Sequence, residues 1–212
     1  MNSQNDDGNT ALHVACLANS IEIVQMLLES KADPLIQNKY GFYPVQDACG
    51  GCSLEIFKLL EETIPKIPKK DTIHGMNPVH FAARNPDLSV MLYLFDKKES
   101  VIYERDGKTG GLPIHYAVDC GNVEAVKWLV GKQININCKD VVNGNTPLHV
   151  AAMISNLELV QYLWAVGADP LIPNKENVRP IDICIDVGGE LREFFEAKNE
   201  YVDCFSDRHF GP

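Results

Sequence analysis

The chain has 212 residues, 45% hydrophobic and 23% charged, and its 19 Lys and Arg against 29 Asp and Glu leave a formal charge of −10. That apolar fraction argues against disorder, and the acidic balance argues against a nucleic-acid grip built on clustered cations. No run approaches the ~18 apolar residues of a membrane span, the start MNSQNDDGNT lacks a secretory leader, and seven cysteines, an odd number, point to a reduced compartment.

In chain order, GNTALHVAC at 8–16 returns as GFYPVQDAC at 41–49, GMNPVHFAA at 75–83, GGLPIHYAV at 110–118, GNTPLHVAA at 144–152 and NVRPIDICI at 177–185. The third position of each copy, here called the threonine slot, holds Thr10, Tyr43, Asn77, Leu112, Thr146 and Arg179, spaced by 33, 34, 35, 34 and 33 residues. Six copies at that regularity specify an array of stacked units rather than one globular core.

Within a copy, Thr10 and Thr146 can cap a helix start. Pro44, Pro78, Pro113, Pro147 and Pro180 then fall where a first helical residue tolerates a missing N–H. Leu12, Val45, Val79, Ile114, Leu148 and Ile181 follow, with Ala15, Ala48, Ala82, Ala117, Ala151 and Cys184 three further on, so each copy predicts a short, closely packed inner helix. A second, outer helix follows, its buried stripe marked by Ile21, Ile23, Val24, Leu27 and Leu28 in the first copy and by Leu157, Leu159, Val160, Leu163 and Trp164 in the fifth. Asp-Pro then breaks the chain into a polar finger, as in KADPLIQNKYG at 31–41 and GADPLIPNKEN at 167–177.

The period and the string Thr146–Ala151, TPLHVA, resemble the ankyrin repeat family over residues 6–188. The resemblance implies an all-α solenoid of stacked helix-turn-helix units with finger loops. The array is expected over 1–188, with repeats starting near 6, 39, 73, 108, 142 and 175, and a C-terminal capping helix and tail over 189–212. Leu191, Phe194 and Phe195 would anchor that helix, in a stretch with seven acids against three bases between 186 and 208. The start falls inside a finger with no earlier capping helix, so a segment of a longer chain is expected.

The resemblance further implies a non-catalytic scaffold, monomeric as an isolated array, that binds a partner protein or peptide through finger tips and the exposed face of the inner helices. It implies no cofactor, no metal, no nucleic acid, no membrane insertion, and residence in the cytoplasm or nucleus. Carried over by repeat phase, the partner-binding positions are Lys39, Tyr40 and Phe42 in repeat two, His74, Met76 and Arg84 in repeat three, Lys108 and Asp119 in repeat four, and Asn143, Asn145, Met153 and Ile154 in repeat five. Tyr40, Phe42, Met76, Met153 and Ile154 are apolar or aromatic where solvent exposure is expected, the material of interface hot spots. Repeats two to four are favoured, because Tyr43, Gln46 and Asp47 break the repeat pattern there. The longer links IPKIPKKDTIHG at 64–75, basic at Lys66, Lys69 and Lys70, and Ser100–Gly111 fall in the same region. NKYGFYPVQDA and DGNTALHVA are also similar to the ankyrin region of ankyrin-type TRP channels, so the alternative is the cytosolic regulatory part of a membrane protein.

Other chemistry was weighed against packing. His13, His80, His115 and His149 share one repeat phase, which predicts a row of backbone-bonding rings rather than a converging zinc site. Gln46 and Asp182 replace them in repeats two and six, where looser fingers are expected. Cys49-Gly50-Gly51-Cys52 has redox or half-zinc spacing, but Cys49 falls late in an inner helix where the dipole opposes a thiolate; packing at Cys49 and a turn at Gly50 and Gly51 are expected. Gly107-Lys108-Thr109 resembles the end of a phosphate loop, but Ile102 occupies the required glycine position. Asn137 stands where some ankyrin repeats are hydroxylated, with Leu129 eight residues earlier; a loop asparagine holding its own turn is the alternative. Nothing resembles an active site.

Overall fold

The computed structural model describes residues 2–51, 53–64 and 75–198. Among them the regular structure is helical, and the helices come in pairs, one pair per copy. These are α1 Ala11–Leu17 and α2 Ile21–Glu29, α3 Pro44–Gly51 and α4 Leu54–Thr63, α5 Pro78–Ala82 and α6 Ser89–Lys97. The series continues with α7 Pro113–Asp119 and α8 Val123–Gly131, α9 Pro147–Met153 and α10 Leu157–Ala165, α11 Pro180–Val187 and α12 Gly189–Glu196, with a 3-10 turn at Glu99–Tyr103. The five slot prolines open α3, α5, α7, α9 and α11, where the missing N–H is one the helix cannot use anyway.

The chain divides into two compact units, Met1–Ala117 and Val118–Pro212. In the first, α1 packs on α3 and α3 on α5, while α2 packs on α4 and α4 on α6. Leu12, Val45 and Val79 and the alanines three residues on are buried between the inner helices. Phe57 and Leu60 of α4 are fully buried, and Phe57 meets Tyr93 of α6 edge-on at 5.9 Å. In the second unit α9 packs on α10 and α11, and α12 on α10 and α11; Leu191 and Phe195 of α12 are buried and Phe194 is half-buried.

Ile23 departs from its expected burial. It is 51% exposed, whereas Ile56 and Val90, at the same phase of later repeats, are fully buried. No earlier helix pair among the described residues covers that side of α1 and α2. A wide apolar depression lies there, lined by Ala11, Val14, Ala15, Ala18 and Ile23.

Among the described residues, four fingers are each organised by one Asn or Asp. Asn38 Oδ1 accepts from the Tyr40 and Phe42 N–H groups, both at 3.0 Å. Asp106 accepts from the N–H groups of Lys108, Thr109 and Gly111 at 2.6–2.7 Å, Asp140 from those of Asn143, Gly144 and Asn145, and Asn174 from those of Glu176 and Val178. Such side chains substitute for backbone acceptors in turns. The Asp106 turn also disposes of the phosphate-loop resemblance, because the N–H groups that would cradle a phosphate already serve this carboxylate.

Histidine ties finger to helix and to the next finger. His13 Nδ1 accepts from the Thr10 N–H at 3.1 Å, and its Nε2 meets the Phe42 carbonyl at 3.0 Å. His80 does the same between Asn77 N (3.2 Å) and Gly111 O (3.3 Å), and His149 between Thr146 N (3.0 Å) and Val178 O (3.0 Å). This pattern requires neutral rings with the proton on Nε2. Gln46 reproduces the near half, its Oε1 accepting from Tyr43 N–H at 2.7 Å, but its buried Nε2 finds no partner. Asp182 also caps, accepting from Arg179 N–H at 2.9 Å and pairing with the Arg179 guanidinium at 2.7 Å. The near tie therefore survives in repeats two and six, while in repeat two the tie to the next finger is lost at Gln46 Nε2, in line with the looser finger expected there.

Gly50 and Gly51 lie inside α3 rather than in a turn, and Cys49 is buried in the core. Cys52, which completes the C-x-x-C spacing, lies outside the described residues. Asn137 ties its loop to the next one, its Oδ1 accepting from Asp169 N–H at 2.9 Å, while its own turn is held by Asn135, whose Oδ1 accepts from Asn137 N–H at 3.0 Å.

Candidate functional site

The surface of interest comprises the finger tips and the exposed ends of the inner helices. In the first unit Lys39 and Lys108 stand exposed on two fingers, and Arg84 is exposed where α5 ends. Tyr40 is 54% exposed. Phe42 is half-buried beside it, with ring centroids 6.4 Å apart, and meets Phe81 of α5 edge-on at 5.2 Å. The three rings make a continuous strip from finger tip to inner helix. Phe42 thus packs against the neighbouring repeat and presents one side outward.

Three expected positions stand otherwise. Met76 is only 5% exposed and Asn145 only 7%, against the expectation of solvent-facing side chains. Both precede the threonine slot, at the finger root. Asn145 Oδ1 there accepts from Asn174 Nδ2 of the next finger at 2.9 Å, as Asn9 Oδ1 accepts from Asn38 Nδ2 at 2.9 Å in the first unit. His74, like Lys66, Lys69 and Lys70, lies outside the described residues. In the second unit Asp119 and Asn143 are exposed, as are Met153 (59%) and Ile154 at the end of α9. Val141 and Val142, more than half exposed at a finger tip, and Tyr103, 52% exposed at the end of the 3-10 turn, were not singled out from sequence; Val142 shares its repeat phase with Lys39 and Lys108.

The electrostatics follow from burial. Tyr116 of α7 packs edge-on against His80 at 5.1 Å, and burial pushes its hydroxyl up to about 12. Burial alone would raise Asp106, but the hydrogen bonds from Thr109, Lys108 and Gly111 overcome it and hold the carboxyl below its usual range. Asp47, on α3 at the phase of Phe81 and Tyr116, is raised by burial to about 7. Burial lowers His13, His80 and His149.

These shifts predict opposing pH effects. Depressed histidines leave the folded chain with fewer protons than the unfolded one below about pH 6.5, so their contribution is lost as pH falls through that value. Asp47 holds a proton in the fold that the unfolded chain gives up above about pH 4, so its contribution is lost as pH rises towards 7. Asp47→Asn is therefore expected to steepen the rise of stability between about pH 5 and 7 and to gain roughly 2 kcal/mol at pH 8. Urea titrations across that range check it, and an unchanged slope would contradict the burial of this carboxyl.

Repeated helix pairs joined by glycine-rich fingers define a helical repeat solenoid, a class that presents surfaces rather than enclosed reaction chambers. The profile described as ankyrin repeats (3 copies) matches residues 1–71, 48–140, 79–174 and 114–194, and the chain belongs to the ankyrin repeat family. The crystal structure of the human ASB11 ankyrin repeat domain superimposes with a TM-score of 0.68 at 25% identity, covering 86% of this chain and 80% of that one. Human transient receptor potential cation channel subfamily A member 1 is 30% identical over 103 residues, 45% of this chain and 9% of the channel. A probable 26S proteasome regulatory subunit p28 of Saccharomyces cerevisiae is 28% identical over 150 residues, 69% of this chain and 65% of that protein. This chain thus spans about a tenth of the channel's length and about two thirds of the proteasome subunit's. Ankyrin repeats are in general protein–protein interaction modules, and the fold is typically non-catalytic. Among the described residues no helix is long and apolar enough to cross a membrane.

Proposed function

We propose that this chain binds a partner protein or peptide through its finger tips and the exposed ends of its inner helices, acting as an intracellular scaffold that is monomeric in isolation. The supporting observation is that aromatic and apolar side chains stay largely uncovered at these positions, Tyr40 and Met153 above all, although the hydrophobic slots around them are filled. Uncovered aromatic side chains on a rigid surface lose little entropy on docking. Met76 and Asn145 leave the binding set, since burial uses them at the finger roots.

Affinity capture from the source cells, with wild-type chain and a Tyr40→Ala/Met153→Ala variant of unchanged melting temperature, tests the proposal. The variant is expected to lose partners that the wild type retains, with affinities down about tenfold or more. Equal capture by both would sink it. A second reading, the regulatory ankyrin segment of a larger membrane protein, draws support from the likeness to the channel. Spanning segments in the full gene product would carry that reading, and a full product without them would remove it.

A further inference from the structure

The end of the first unit that no described repeat covers is built like an internal stacking face. Ile23 of α2 is half exposed, while Ile56, Val90, Ala125 and Leu159, at the same distance from their own threonine slots, are fully buried. Ala11 is exposed where Pro44, Pro113 and Pro147 are buried, and Val14 and Met26 are exposed beside it. All four uncovered side chains are apolar, whereas a terminal repeat needs a polar outer side for solubility. The finger beside this face is incomplete in its hydrogen bonds. In the second finger Asn38 Nδ2 donates to Asn9 Oδ1 at 2.9 Å, and the next residue, Lys39, donates its N–H to the Asp7 carbonyl at 2.9 Å. In the sixth, Asn174 Nδ2 donates to Asn145 Oδ1 at 2.9 Å and the Lys175 N–H to the Asn143 carbonyl at 2.8 Å. Asn5 and Asp6 hold these places in the first finger, and Asn5 Oδ1 shapes the turn by accepting from the Asp7 and Asn9 N–H groups at 3.0 and 2.9 Å. Both residues are exposed, and neither Asn5 Nδ2 nor the Asp6 N–H has an acceptor among the described residues.

We propose that this end of the first unit is a docking face for one further ankyrin-type repeat, carried ahead of Met1 on the same polypeptide. The occupant is a helix pair that lays small and aliphatic side chains on α1 and α2, continuing the packing of α1 on α3 and α2 on α4. Its finger offers two acceptors, an Asn side chain one residue before its threonine slot and the carbonyl three residues before it. These meet Asn5 Nδ2 and the Asp6 N–H. The residues leading into the first finger follow the course of a link between repeats. Gln4 Nε2 donates to the Gly8 carbonyl at 2.6 Å, as Gln37 Nε2 does to that of Gly41 at 2.8 Å. A second copy of the chain fits poorly. Two such ends face to face would set the donors of one against the donors of the other. The last repeat of another copy offers no better match, because Val178 stands one residue before its slot, where Asn9 and Asn145 accept. The proposal is independent of the docking role of the finger tips.

Joining a second copy of residues 140–169 directly ahead of Met1 tests it, since the copy supplies Asn145, the Asn143 carbonyl and both helices of repeat five. The copy's slot then falls 33 residues before Thr10, the interval that separates Thr10 from Tyr43. Hydrogen exchange of the α2 amides is expected to slow about tenfold or more relative to the unextended chain. Ile23→Glu should abolish that slowing, and Asn145→Ala in the added copy should reduce it severalfold. In the unextended chain Ile23→Glu should change exchange by less than about twofold, which separates lost docking from lost folding. No slowing in the extended chain, or slowing that survives Ile23→Glu, would overturn the proposal. Self-association of the unextended chain that Ile23→Glu abolishes would assign the face to a second copy and overturn it too. A full gene product with no ankyrin-type repeat ahead of this chain would do the same.

Discussion

Replacing His149 with alanine is expected to destabilise the second unit by about 3 kcal/mol or more. The side chain is fully buried and serves three polar groups: Thr146 N–H at 3.0 Å, Thr146 Oγ1 at 2.8 Å and Val178 C=O at 3.0 Å. Alanine removes all three bonds, and each buried group left without a partner costs about 1–3 kcal/mol. The chain itself supplies the intermediate case. Gln46 keeps the near bond at 2.7 Å while its Nε2 finds no partner, so His149→Gln is expected to lose about half as much as His149→Ala. Because the chain has two compact units, a single melting temperature need not report on one of them. Hydrogen exchange of the α9 and α11 amides is the better measure. Protection in His149→Ala equal to wild type would show that the histidine tie carries no weight.

The same comparison explains what could be read from sequence. T-P-L-H-x-A packs into one short string a cap, a proline at the first helical position, a buried aliphatic, a bonding histidine and a small packing residue. Each element acts locally, so Thr146, Pro147, Leu148, His149 and Ala151 appear where their chemistry places them. Positions settled by the following finger could not be read this way. Met76 and Asn145 have the same chain phase as exposed residues of a lone finger, but the next finger covers them, and Asn174 then claims the Asn145 side chain. Gly50 and Gly51 look like a turn in isolation, yet α3 runs through both because its packing on α1 and α5 outweighs their weak helix propensity. The residues that shape each finger, Asn38, Asp106, Asp140 and Asn174, left a usable signal. An Asn or Asp stands five or six residues before the threonine slot in each of these fingers. Partner choice left the weakest trace, since it rests on side chains such as Tyr40 and Lys108 that the stack itself does not require.

Gly75→Ala is expected to cost about 2–4 kcal/mol and to disturb binding at the fourth finger. The residue two before the threonine slot has positive φ in every copy, from Asn177 at 59° to Gly8 at 78°, and Gly75 stands at 65°. An alanine there pays about 1–2 kcal/mol in left-handed strain alone. Its Cβ would also fall 2.5 Å from the Gly107 Cα, which is backbone and cannot rotate away. The two fingers meet at this point through the Gly107 N–H and the Gly75 carbonyl at 3.0 Å, so relieving the collision moves the turn that presents Lys108. Stability and partner affinity should therefore fall together. Gly51→Ala provides the contrast: it is helical, has nothing within 4 Å of its added Cβ, and should gain about 0.5–1 kcal/mol through helix propensity. Urea unfolding and peptide titration of both variants decide the matter. If Gly75→Ala kept wild-type stability and affinity, the close approach of the third and fourth fingers could not be what holds Lys108 in place.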